Sequence, residues 1–83
     1  MKTTAYFDTE TSKQHPEAVK YRSYVEKALT EYVTIESQAN GRTRRWVHVP
    51  EEDKYLRVVV LADGQTVHNA LFDRNFTRRM KRK

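Results

Sequence analysis

Apolar and polar positions follow two different periods along this chain. From Pro16 to Tyr32 the apolar residues Ala18, Tyr21, Val25, Ala28, Leu29 and Tyr32 recur at spacings of three and four, opposite a face of Lys20, Glu26 and Lys27. That period predicts one long amphipathic helix packed on a flat partner. Pro16 suits the first helical position, Glu17 sets negative charge at the positive end of the helix dipole, and His15 is expected at the cap. Upstream, "TAYFD" alternates weakly and reads as a short first strand.

Beyond Tyr32 the period shortens to two. Asn40 and Gly41 are expected to supply the positive-φ pair of a tight hairpin turn between strands Val33 to Gln38 and Thr43 to Val49. Pro50 and the acidic "EEDK" end the second strand, Asp63 and Gly64 mark another hairpin turn, and Val67 to Phe72 forms the last strand. Leu56 to Leu61 is apolar on both faces, which places it centrally in an antiparallel meander. Asp73 is expected to cap a short last helix docked through Phe76. The whole reads as a single α+β domain over residues 1–83: one long helix packed on a four-stranded, mainly antiparallel sheet, with a short basic C-terminal helix or tail. Residues 80–83 are expected to be a solvated tail.

One feature resists this pattern. The apolar run Leu56 to Leu61 is interrupted by Arg57, and the run Val67 to Phe72 carries His68 and Asn69. A guanidinium, an imidazole and a carboxamide in such strands need either partners or a function.

Composition narrows the classes. The 83 residues include no cysteine, which excludes disulfides and thiolate metal sites. No apolar stretch approaches the roughly 20 residues of a membrane span, and Met1 to Glu10 lacks the apolar core of a signal peptide, so a cytoplasmic protein is expected. The net charge of +5 is unevenly placed: residues 1–40 hold five Lys or Arg against six Asp or Glu, whereas residues 41–83 hold eleven against five. Arg74, Arg78 and Arg79 stand in a terminal basic cluster, and Arg42, Arg44 and Arg45 form a second one. Such a field attracts polyanions, RNA foremost, and an acidic protein is the alternative partner.

Metal-independent RNA cleavage needs a base for the ribose 2′-OH, an acid for the leaving oxygen and cations for the transition state. His15, His48 and His68 are the side chains whose ordinary pKa suits proton transfer near neutrality. Strand alternation aligns Arg44, Trp46 and His48 on one face, Arg57, Val59 and Leu61 on another, and His68, Ala70 and Phe72 on the last. If these faces coincide, His68, Arg57 and His48 are the candidate catalytic residues. Arg44, Arg45, Trp46, Arg74, Arg78 and Arg79 are then the candidate nucleic-acid contacts, with Trp46 stacking on a base. No cofactor motif is present, and the histidines lack zinc-ligand spacing, so no metal is expected.

His15-Pro16, the run Leu56 to Val60, Asn69-Ala70-Leu71-Phe72 and the basic Asp73 to Arg79 occur in an order similar to the small phage or bacterial RelE-like nucleases, within the broader barnase, EndoU, colicin and RelE-like fold. The resemblance covers about residues 14–80. It implies a metal-independent ribonuclease of the toxin class, a monomer or weak dimer, with an antitoxin as a further partner. Asn69 stands where that pattern usually has Thr, so a hydroxyl is missing. This departure favours the rival reading, a nucleic-acid or protein-binding module without catalysis.

Overall fold

In a computed structural model, which describes residues 1–82, the chain forms a five-stranded mixed sheet with short helices. This corrects the expectation of one long helix on a four-stranded antiparallel sheet. The strands are β1 (Lys2–Thr3), β2 (Thr34–Ser37), β3 (Thr43–Val49), β4 (Lys54–Val60) and β5 (Thr66–Phe72), in the spatial order β1-β5-β4-β3-β2. Strands β2 to β5 pair antiparallel in chain order, as hairpin turns require, and β4 lies at the centre. The fifth strand, β1, runs parallel to β5 with Lys2 opposite Thr66 and Thr3 opposite Val67. "TAYFD" is therefore not the first strand. Its Phe7 begins a π-helical segment, Phe7–Thr11, that seats Phe7 and Thr11 in the interior.

The expected helix over Pro16 to Tyr32 is two pieces, α2 (Glu17–Lys20) and α3 (Arg22–Lys27), preceded by a short α1 (Ser12–Gln14). The gap between α1 and α2 has a steric cause. A residue before proline is pushed out of the α region, and His15 before Pro16 has φ −132° and ψ 77°. The break between α2 and α3 lies at Tyr21, whose φ of −107° and ψ of 37° kink the chain while its ring stays buried and its hydroxyl donates to Glu52 at 2.6 Å. The helical stripe nonetheless performs as its period suggests. Ala18, Tyr21, Val25 and Ala28 meet Val47, Val49, Leu56, Val58, Val60, Val67 and Ala70 of the sheet in one core.

Helix α3 stops at Lys27, short of Tyr32, and Arg45 accounts for its end. The Arg45 guanidinium donates to the carbonyls of Ala28 and Leu29 at 3.2 and 3.0 Å and lies over the Tyr32 ring. A cation at a helix C-terminus satisfies orphan carbonyls and complements the dipole. The hairpin turns use one positive-φ residue each rather than a pair: Gly41 at φ +84° and Gly64 at φ +71°, with Asn40 and Asp63 bonding nearby backbone N–H groups instead.

Helix α4 (Arg74–Lys81) folds back over the other face of the sheet. Met80 and Lys81, expected in a loose tail, are its last turn, and Lys83 lies outside the described residues. Among the described residues no helix is long and apolar enough to cross a membrane.

Candidate nucleic-acid interface

The second face of the sheet, expected to be an open patch of Arg, His and Trp, is closed by α4. Asp73 is the reason α4 starts where it does. Its Oδ1 accepts the Phe76 N–H at 2.9 Å as a helix cap, and its Oδ2 accepts the Trp46 indole N–H at 3.0 Å. The Arg57 guanidinium lies 3.8 Å from the same Oδ2. Burial alone would raise the Asp73 carboxyl, but the Phe76 N–H, the indole N–H and the charges of Arg57 and Arg79 together hold it below its ordinary range. Phe76 then stacks on Trp46 at 4.9 Å and meets Tyr55 edge-on at 5.2 Å. Trp46 is only 5 % exposed. Its ring is covered and is not presented to a base.

The three polar residues that broke the apolar pattern thus find intramolecular partners. Arg57 turns toward Asp73, at the end of β5 remote from His68. Asn69 Oδ1 accepts the hydroxyl of the fully buried Thr11 at 2.9 Å and the N–H of Ala70. His68 sits in a register shift between Val59 and Val60, where Val60 pairs with Val67 and Val59 with Asn69. This bulge removes His68 from the strict alternation that grouped it with Ala70 and Phe72. Its ring stacks on Tyr6 at 4.9 Å, and its Nδ1 lies 3.1 Å from Thr4 Oγ. Burial, with help from the Arg42 charge, lowers its pKa.

The expected catalytic group is not assembled. His48 pairs with Asp53 at 3.0 Å beside the β3–β4 turn. Two strand spacings and four to five residues of rise separate it from His68, roughly 17 Å. The basic cluster in β3 also divides. Arg45 serves the helix end already described, and Arg44 pairs with Glu36 on β2 at 3.5 Å.

What does converge lies along α4. Arg74, Thr77, Arg78, Lys81 and Arg82 follow the i, i+3, i+4, i+7, i+8 spacing of one helix face. Together with Lys54 of β4, Phe72 of β5 and Glu17 of α2 they line a pocket of about 580 Å³. Of the expected nucleic-acid residues, Arg74 and Arg78 belong to this pocket, whereas Arg79 lies over the Phe76 ring at 5.4 Å. Lys54, Phe72 and Glu17 were not among the expected site residues. The helical spacing of the terminal cations is a signal that was there to be read, but nothing local points to Glu17, which folding brings 55 residues along the chain to accept the Phe72 N–H at 3.1 Å.

The electrostatics are one-sided. Five cations face a single lining carboxylate. Lys54 and Lys81 have acidic neighbours outside the lining, Glu52 at 3.8 Å and Asp53 at 3.2 Å, while Arg74 and Arg78 form no ion pair among the described residues. A second concavity of about 410 Å³, lined by Tyr24, Tyr32, Val33 and His48 among others, mixes Lys27 with Glu31 and carries no such bias. Among the described residues no group of three His, Cys, Asp or Glu is arranged to hold a metal. Set against known protein families, curated proteins and solved structures, the chain matches none, so the likeness to RelE-like nucleases rests on its own short motifs alone.

Proposed function

We propose that this domain is a cytoplasmic RNA-binding module that holds the sugar-phosphate backbone on the basic face of α4. The observation that carries the reading is the convergence of Lys54, Arg74, Arg78, Lys81 and Arg82 on one pocket. Cations that neutralise phosphates release condensed counterions, which makes affinity depend on salt. Arg74 and Arg78, which form no ion pair among the described residues, are available for this without first breaking one. The dispersal of His15, His48 and His68 supports binding without cleavage, because general acid and general base must reach the same phosphate.

The test is a titration of labelled unstructured RNA at several salt concentrations. Five contacts at about 0.7 each on a single strand give a log–log slope of about 3 to 4, with affinity near micromolar at moderate salt. Arg74→Ala and Arg78→Ala should each lower that slope by about 0.7, since each removes one phosphate contact. Absent or salt-indifferent binding would sink the reading and direct attention to an acidic protein partner. Shortened RNA after incubation in EDTA would restore the nuclease.

A further inference from the structure

The pocket beside α4 is not uniformly basic, and its polarity is arranged in depth. Lys54, Arg74, Arg78, Lys81 and Arg82 are all exposed and form the rim. The less exposed lining consists of Glu17, Phe72 and Thr77. The Glu17 side chain is 19 % exposed, and its Oε2 is already the acceptor for the Phe72 N–H. Thr77 Oγ likewise accepts the Tyr55 N–H at 2.9 Å.

A carboxylate and a phenyl ring at depth make the interior a poor place for a phosphate, which would meet like charge and an apolar wall. The same interior suits a neutral, planar group with N–H donors at its edge. The Lys54 ammonium lies over the Phe72 ring, 5.2 Å from its centroid, while Tyr21 packs against the same ring at 5.9 Å, and the flexible stem of Lys54 lets its ammonium swing to the rim. A volume of about 580 Å³ exceeds that of a single base. A base within a duplex presents only its edges in the grooves and cannot enter such a recess without leaving the stack.

Resting on the RNA-binding reading, we infer that the pocket takes one unpaired nucleotide, base inward against Phe72 and beside Glu17, with its flanking phosphates on the arginine rim. The domain therefore distinguishes single-stranded RNA from duplex RNA and from a bare polyanion.

Three ligands of equal length separate base recognition from backbone binding: a single-stranded RNA, the corresponding duplex, and an oligomer lacking bases. The single strand is expected to bind at least about tenfold more tightly than the base-free oligomer, in line with the stacking contribution of one base. Phe72→Leu, checked for an intact fold by circular dichroism, should erase that difference. In the wild-type protein, NMR titration with a 5′-mononucleotide should shift the Phe72 and Thr77 amides, whereas ribose 5-phosphate should leave them in place. Equal affinity for all three ligands, or no response of Phe72 and Thr77 to the nucleotide, overturns the base pocket while preserving backbone binding. Failure of all three to bind overturns both.

Discussion

Removing the Asp73 carboxylate is the sharpest test of how α4 is held. Asp73→Ala deletes the helix cap to Phe76, strands the buried Trp46 indole N–H and leaves the Arg57 guanidinium, 30 % exposed, without its counter-charge. A lost cap is worth about 1 kcal/mol, and an orphaned buried donor about 1 to 2 kcal/mol more. Solvent reaches Arg57, so its unpaired charge adds little. The expected loss is about 2 to 3 kcal/mol, against a total of about 4 to 12 kcal/mol for a domain of this length. In thermal unfolding that corresponds to a fall in Tm of roughly 10 to 20 °C. Asp73→Asn keeps one acceptor oxygen, enough for the Phe76 cap, but turns its amide NH2 toward the Trp46 indole N–H, so it should lose about 1 to 2 kcal/mol. Arg57→Met alone should cost up to about 1 kcal/mol, because it relieves Arg57 Nε, buried without a partner among the described residues, but removes one of the charges that hold Asp73 ionised. Urea unfolding of the three variants and of the Asp73→Ala/Arg57→Met pair closes a double-mutant cycle. Asp73→Ala within about 0.5 kcal/mol of wild type, a magnitude ordinary for an uninvolved surface site, would refute the anchoring role.

Two further outcomes follow from geometry already described. Gly41→Ala should destabilise more than Gly64→Ala in urea unfolding: both have positive φ, costing about 1 kcal/mol, but only at Gly41 would the new Cβ meet another atom, Ala62 Cβ at 3.3 Å; equal losses would show that the contact is relieved freely. For His68, burial and the Arg42 charge favour the neutral ring in the folded state, so its stabilisation is present above the ordinary histidine pKa and disappears as pH falls through the lowered folded value. Urea midpoints from pH 8 to 5 should decline in wild type and flatten in His68→Gln; parallel curves would mean that the ring titrates alike in both states.

The strands were legible in the sequence wherever an element had a local cause. The period-two runs and the residues Gly41 and Gly64 mark the hairpins, and Asp73 marks the start of α4. Local signals failed where the cause was distant. Nothing near Lys2 and Thr3 says that they pair with Thr66 and Val67, and two residues are too few to show a period. The helix break at Tyr21 lies inside an intact apolar stripe, because the stripe reports which face is buried and not whether the backbone is continuous. The start near Pro16 was legible, since the proline excludes His15 from the helix. In the candidate site, Arg57, His48 and His68 looked chemically able, but alternation alone could not foresee the bulge at His68 or the return of α4 over Trp46. Charge was read correctly as a property of the C-terminal half, yet its focus depended on Lys54, Phe72 and Glu17 arriving from three separate elements.

The parallel pairing of β1 with β5 sets an order of assembly. Strands β2 to β5 join across short turns, so their contacts form at small loop-closure entropy. Lys2 meets Thr66 only by closing a loop more than ten times longer, at an added entropic cost of about 2 kcal/mol. The edge gained is two residues long, too little to offset that cost alone, so β1 docks after β5 exists and while Phe7 is entering the core. On these loop lengths the meander is expected to form first and the N-terminal segment to act as a clasp that fastens last and loosens first, taking with it the Tyr6 and Thr4 cover over His68.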